Sequence, residues 1–313
     1  MIAAALFAVA LSSTPADAHR AEVEAWRQRR LQRLSRPDGW LTLAGLFWLD
    51  EGANPFGSDK GNRVVLPAPT PPCMGELVLN HGSLSVRVGP GIELRTAGKP
   101  VREMALKSDA DGDPTVLEYG PVGFYVIKRR DRFAIRVKNA QSPALLHFTG
   151  LDSFPISETW RFTARFERYD PPRDVVVPNV MGGTDIEKCP GAVVFQVGGK
   201  DYRLDPVIED GSEDLFIIFG DKTNGYETYG AGRFVYVKWP DAQGRTVLDF
   251  NKAYNPPCAL NDFATCPLPP PQNRLGLRVE AGEKTYAGGH AAEPVRPAIS
   301  RAGAATARSA SAP

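Results

Sequence analysis

At 313 residues, with 42% hydrophobic and 23% charged side chains, the chain is long enough to bury one large core or two smaller ones. A formal net charge of +1 gives no basic or acidic excess of the kind that draws a protein to nucleic acid or an acidic polymer. No apolar run reaches the ~20 residues that a membrane-spanning helix needs.

In chain order, Ile2 to Leu11 form a short apolar run, and Ala16-Asp17-Ala18 supplies the small-x-small pattern that signal peptidase cuts after. Residues 1–18 are therefore expected to be a signal peptide, which places the mature chain in the periplasm or outside the cell. No Lys or Arg precedes the run, and no cysteine stands at the cut to carry a lipid. Ala21 to Leu34 reads as a helix, with Val23, Trp26, Leu31 and Leu34 on one side and arginines elsewhere. Arg36-Pro37-Asp38-Gly39 ends it, because proline disfavours helix in the residue before it. Trp40 to Leu49 is nearly all apolar and reads as a buried helix or strand.

After Asn62 the hydrophobic period becomes two. Trp160 to Arg168 alternates most cleanly, with Trp160, Phe162, Ala164 and Phe166 on one face. Hairpins are expected for Glu76–Asn80 with Ser83–Val88, for Phe124–Lys128 with Arg132–Lys138, and for Val193–Val197 with Tyr202–Asp205 about the Gly198-Gly199 pair. Leu215–Phe219, Phe234–Trp239, Thr246–Asn251 and Leu275–Glu280 continue the series. The expected fold is all-β, a mainly antiparallel barrel or two-sheet sandwich with an N-terminal helix and a disordered C-terminal tail. Residues 19–286 form one β-rich domain, with a softer subdomain boundary at Tyr169-Asp170-Pro171-Pro172. Residues 287–313, mostly Ala, Gly, Pro, Ser and Arg, are too poor in apolar surface to order.

Cys258 and Cys266 lie close together in a proline-rich segment and form the natural disulfide in an oxidising compartment. Closing that loop would stabilise the fold by about 2–3 kcal/mol in the chain-entropy model. Cys73 and Cys189 are left for a second bridge. The spacing does not suit zinc, and His19, His81, His147 and His290 are scattered, so no metal site is expected; His147 reads as a hydrogen-bonded sheet residue.

Nucleotide, metalloprotease and serine-hydrolase motifs are absent, and no cofactor is expected. Polar and aromatic residues instead crowd three late blocks: Phe219 to Phe234, Asp249 to Cys258, and Thr265 to Leu275 with Ala281-Gly282-Glu283-Lys284. Asp221, Glu227 and Asp249 are carboxylates at strand ends or in tight loops. Tyr229, Asn251, Tyr254 and Asn255 add hydrogen-bonding groups, and Arg233 is set to pair with an acid. As a pocket, these eight residues would bind a small molecule, and two of the carboxylates would offer a general acid and base. As structure, the same residues would cap turns and hold loops. The expected geometry brings Asp221–Arg233 and Asp249–Asn255 together, with Thr246–Asn251 pairing beside Phe234–Trp239.

With Gly39-Trp40-Leu41, Gly45-Leu46-Phe47-Trp48-Leu49 and Phe56-Gly57-Ser58, these blocks resemble a bacterial and archaeal family catalogued as domain of unknown function 1684. The resemblance runs from Trp26 to Lys284 and implies no activity, so no catalytic residue is assigned through it. Two readings of function follow from the residues: an exported binder of a small molecule in a polar and aromatic pocket at one end of the β fold, or a carboxylate-dependent hydrolase or lyase without a nucleotide cofactor.

Overall fold

The computed structural model describes residues 14–288. The apolar run at 2–11 and tail residues 289–313 lie outside the described residues. Helix α1 (Pro15–Leu34) starts before the expected Ala21 because Thr14 and Asp17 form a capping box, each side chain accepting from the other's backbone N–H. Pro15 occupies the first turn, where its missing N–H leaves no helical bond unmade. No helix among the described residues is long and apolar enough to cross a membrane.

Past a single 3-10 turn at Trp40–Thr42, eleven strands build the N-terminal lobe. They are β1 (Leu43–Trp48), β2 (Gly52–Gly57), β3 (Val64–Val65), β4 (Gly75–Asn80), β5 (Ser83–Val88), β6 (Arg95–Thr96), β7 (Lys99–Pro100), β8 (Glu103–Leu106), β9 (Leu117–Tyr119), β10 (Val122–Arg129) and β11 (Arg132–Asn139). One sheet has the order β1-β11-β10-β9-β6-β7 and the other β3-β2-β4-β5-β8. Their inner faces share one core, in which Phe56, Leu77 and Val86 meet Phe124, Ile135 and Val137. The lobe is thus a two-sheet sandwich. The expected hairpins are present: His81 and Gly82 turn between β4 and β5 with positive φ, and β10 pairs antiparallel with β11.

A short helix, α2 (Pro143–Leu146), links the lobes. His147 follows it at the helix end, exposed, and is not the sheet residue expected from its apolar neighbours: Ser142 caps Leu145 N and starts a helical turn in place of a strand.

The C-terminal lobe contains β12 (Arg161–Pro178), β13 (Thr184–Val197), β14 (Lys200–Leu204), β15 (Leu215–Phe219), β16 (Arg233–Val237) and β17 (Arg245–Asp249). A four-stranded sheet in the order β14-β13-β12-β17 faces the β15-β16 pair across Phe166, Phe195, Ile217, Val235 and Phe250. Strand β12 runs straight through Tyr169-Asp170-Pro171-Pro172, absorbing the prolines in a register irregularity between Arg168 and Arg173.

Two expected placements are corrected. β17 forms its ladder with β12 rather than with β16, because the first half of β12 would otherwise be an unpaired edge. The turn after β16 is tied to β17 where Thr246 Oγ1 donates to Lys238 O and Asp241 N to Arg245 O, and Val235, Val237 and Leu248 share one core. Leu275–Glu280 is not a strand. Leu275 N donates to Gly220 O, Lys222 N to Leu277 O, and Val279 O takes the Arg233 guanidinium, so the segment's partners are scattered and form no continuous ladder.

Candidate functional site

One opening lies where α1, the N-terminal lobe and the C-terminal lobe meet. It is a cleft of about 780 Å³, a size that suits a small organic ligand. Helical spacing puts Trp26, Arg30, Arg33 and Leu34 on one stripe facing it. On β11 the period of two sends Phe133, Ile135 and Val137 into the sandwich core and turns Arg136 the other way, into the cleft. β15 and β16 contribute Phe216, Phe234 and Tyr236; Tyr254, Thr265 and Cys266 complete the wall.

Aromatic rings form a continuous floor. Tyr236 stacks on Tyr254 at 6.2 Å with planes 12° apart, Phe216 on Tyr236 at 5.0 Å, and Trp26 meets Tyr254 at 6.1 Å. Tyr236 Oη donates to Glu209 Oε2 at 2.5 Å. Burial pushes the Tyr236 and Tyr254 hydroxyls above the ordinary phenol range, so both stay neutral hydrogen-bonding groups. The floor continues into a side cavity of about 300 Å³ that adds Glu22, Arg161, Asp249 and Lys252.

The arginines differ in how they are balanced. Arg30 is neutralised: Nε donates to Glu283 Oε1 at 3.0 Å, Nη2 to Asn255 O at 2.8 Å, and Cζ sits 4.7 Å over the Tyr254 ring. Arg136 is 4% exposed, and no carboxylate among the described residues is within ion-pair distance of it. Its Nη2 donates to Thr265 Oγ1 at 3.3 Å, its Cζ lies 5.6 Å from the Trp40 ring, and its buried Nε has no partner.

Of the eight residues singled out in the sequence, Tyr254 lines both cavities and Asp249 the smaller one. The others are engaged within the fold. Asp221 takes Arg233 Nη2 at 2.8 Å, Thr223 N at 2.7 Å and Thr223 Oγ1 at 2.6 Å. Arg233 also donates to the carbonyls of Val279, Ala281 and Glu283. Glu227 pairs with Arg278 near the surface. Tyr229 Oη donates to Cys258 O at 3.2 Å. Asn251 spans Ser157 and Asp249, and Asn255 ties Glu283 to Lys284. The two blocks therefore converge on one segment, 279–285, with Phe234 bridging to Tyr254.

Sequence reasoning missed His19 and Arg136. His19 is buried, with Nε2 2.9 Å from Asp249 Oδ2 and Nδ1 2.5 Å from Glu158 Oε1. It sits one helical turn before Val23 on the buried stripe, which is the signal that would have found it. For Arg136 the signal is a cation on the face of β11 opposite three apolar neighbours.

All four cysteines are free thiols. Cys258 and Cys266 are nevertheless neighbours, with Cys258 N donating to Cys266 Sγ at 3.2 Å. Hydrogen bonding from Cys266 draws the Cys258 thiol below its ordinary range, and the same contact together with burial raises Cys266. Cys189 is buried in the C-terminal lobe and Cys73 is exposed in the other.

The family described as "Protein of unknown function (DUF1684)" matches residues 146–284. The chain belongs to this family. The DUF1684 span covers the C-terminal lobe and its share of the cleft, Phe216, Phe234, Tyr236, Tyr254 and Thr265. It excludes α1 and the sandwich, so Trp26, Trp40 and Arg136 lie outside it, as do the Gly39–Ser58 motifs. An uncharacterized protein from Haloarcula marismortui, solved by solution NMR, is similar at 34% identity, covering 44% of this chain and 77% of that chain with a TM-score of 0.37. No curated protein matches the chain.

Proposed function

We propose that this DUF1684 protein binds a small molecule in the cleft between its lobes. The observation that carries this reading is the cleft itself: about 780 Å³, floored by Trp26, Phe216, Tyr236 and Tyr254, with arginines and carboxylates around the aromatic floor. Nothing comparable surrounds Asp221 or Arg233, whose polar atoms are spent on backbone and side chains nearby. That favours binding over a carboxylate acid–base pair at those residues. A thermal-shift screen of a metabolite library tests it. Compounds that raise the melting temperature of the wild type should lose their effect on Tyr236→Ala, whose side chain borders both cavities. Hits that act equally on the variant would overturn the reading.

We further propose export, with cleavage after Ala18. Every buried side chain of α1, namely His19, Val23, Arg30 and Leu34, lies beyond that cut, so processing would cost only the exposed first turn. In an oxidising compartment the neighbouring thiols of Cys258 and Cys266 would join.

A further inference from the structure

The geometry points to an oxyanion, a carboxylate or a phosphate, as the group of the cleft ligand that sits on Arg136. This deepens the binding role proposed above and rests on it. Arg136 is more than nine-tenths buried, and its neutral contacts are Thr265 and the face of Trp40. A guanidinium held out of water without a carboxylate is destabilising, and an anion arriving beside it would offset that. Its Nε is buried and unpartnered, and the residue borders the cleft. An arginine offers paired donors in a plane, the arrangement that matches two oxygens of one anion.

The other charges around the cleft are largely exposed or already paired. Arg33 is exposed, Arg129 pairs with Asp109 Oδ2 at 2.7 Å and Arg30 with Glu283. The cleft also has acids, Glu209, Asp210 and Asp214, but Glu209 and Asp210 are exposed on the 209–214 loop. Water and salt screen them, whereas the buried Arg136 acts through protein. The aromatic floor takes the apolar body of the ligand, so the class is an aromatic or flat apolar molecule with one terminal oxyanion.

The test compares three small compounds on the full chain: benzoate, phenyl phosphate and neutral benzamide. Binding is followed by the nitrogen-15 indole signals of Trp26 and Trp40. For the wild type, benzoate or phenyl phosphate should bind at least tenfold tighter than benzamide, and the better of the two identifies the oxyanion. Arg136→Gln should bring the anions down to the benzamide level while leaving benzamide within twofold, and Arg136→Lys should keep part of the preference. The wild-type comparison stands even if a variant fails to fold. Benzamide equal to both anions would overturn the oxyanion while leaving the binding cleft intact. No shift of either indole with any of the three would overturn both.

Discussion

Arg233 and Asp221 meet as an ion pair with both side chains wholly buried, Nη2 to Oδ2 at 2.8 Å. The guanidinium also holds the carbonyls of Val279, Ala281 and Glu283, so the pair anchors an irregular segment to the end of β15 and β16. Burial pulls the Arg233 guanidinium down from its ordinary range, and Asp221 opposes that pull. Removing one partner would strand the other charge. Asp221→Asn should therefore lose about 3–5 kcal/mol of stability in urea denaturation. Any ligand found for the cleft should keep its affinity within twofold. Unchanged stability with lost binding would make Asp221 a site residue instead.

His19 clasps the start of α1 to the body through Asp249 and Glu158. His19→Ala should cost about 1–3 kcal/mol, the usual loss for hydrogen bonds to charged groups. If export proceeds as proposed, mass spectrometry of the periplasmic or secreted fraction should find His19 at the N-terminus. A full-length cytoplasmic product retaining Met1 would contradict it.

Cys258 and Cys266 should be linked in protein recovered from an oxidising compartment. Peptide mapping without reductant should yield the cross-linked pair, while Cys73 and Cys189 remain free, since they belong to different lobes. Two unlinked thiols at 258 and 266 would refute this.

Cys189 predicts a pH dependence. Burial pushes its thiol up to about 11 from an ordinary value of 9.0. The folded state holds the proton more tightly than the unfolded state. The contribution is therefore complete below pH 9 and is lost as pH rises to about 11, a change of about 2–3 kcal/mol at most. Cys189→Ser retains a donor for Gly191 O, which the thiol reaches at 3.1 Å, but does not titrate there. Its stability should fall less steeply than that of the wild type over this window. Parallel curves would show that Cys189 is not the responsible group.

The parts of the fold legible in the sequence were those with a period on one buried face. Leu215–Phe219 was found to the residue, and the turns at His81-Gly82 and Gly198-Gly199 were placed by their backbone demands. Strand β12 was harder, because Asp170-Pro171-Pro172 has the composition of a turn and yet forms an irregularity inside one long strand. Leu275–Glu280 has strand composition, but its bonds go separately to Gly220, Lys222 and the side chains of Asp221 and Arg233 rather than to one ladder strand, and no local pattern announces partners from so far away. The candidate site was read from polar density, which picked out the buried scaffold of Asp221, Arg233, Asn251 and Asn255. The cleft depends on α1, β11 and β16 meeting. Its residues, Trp26, Arg136 and Tyr236, are far apart in the chain and unremarked in composition; of the eight singled out, Tyr254 belongs to this floor.

The most direct measurement is a crystal structure with the tightest compound from the thermal-shift screen. Density for that compound is expected in the interlobe cleft, against Tyr236 and Tyr254 and within hydrogen-bond reach of Arg136. Density instead over the Glu227–Arg278 surface, with the cleft empty, would contradict it.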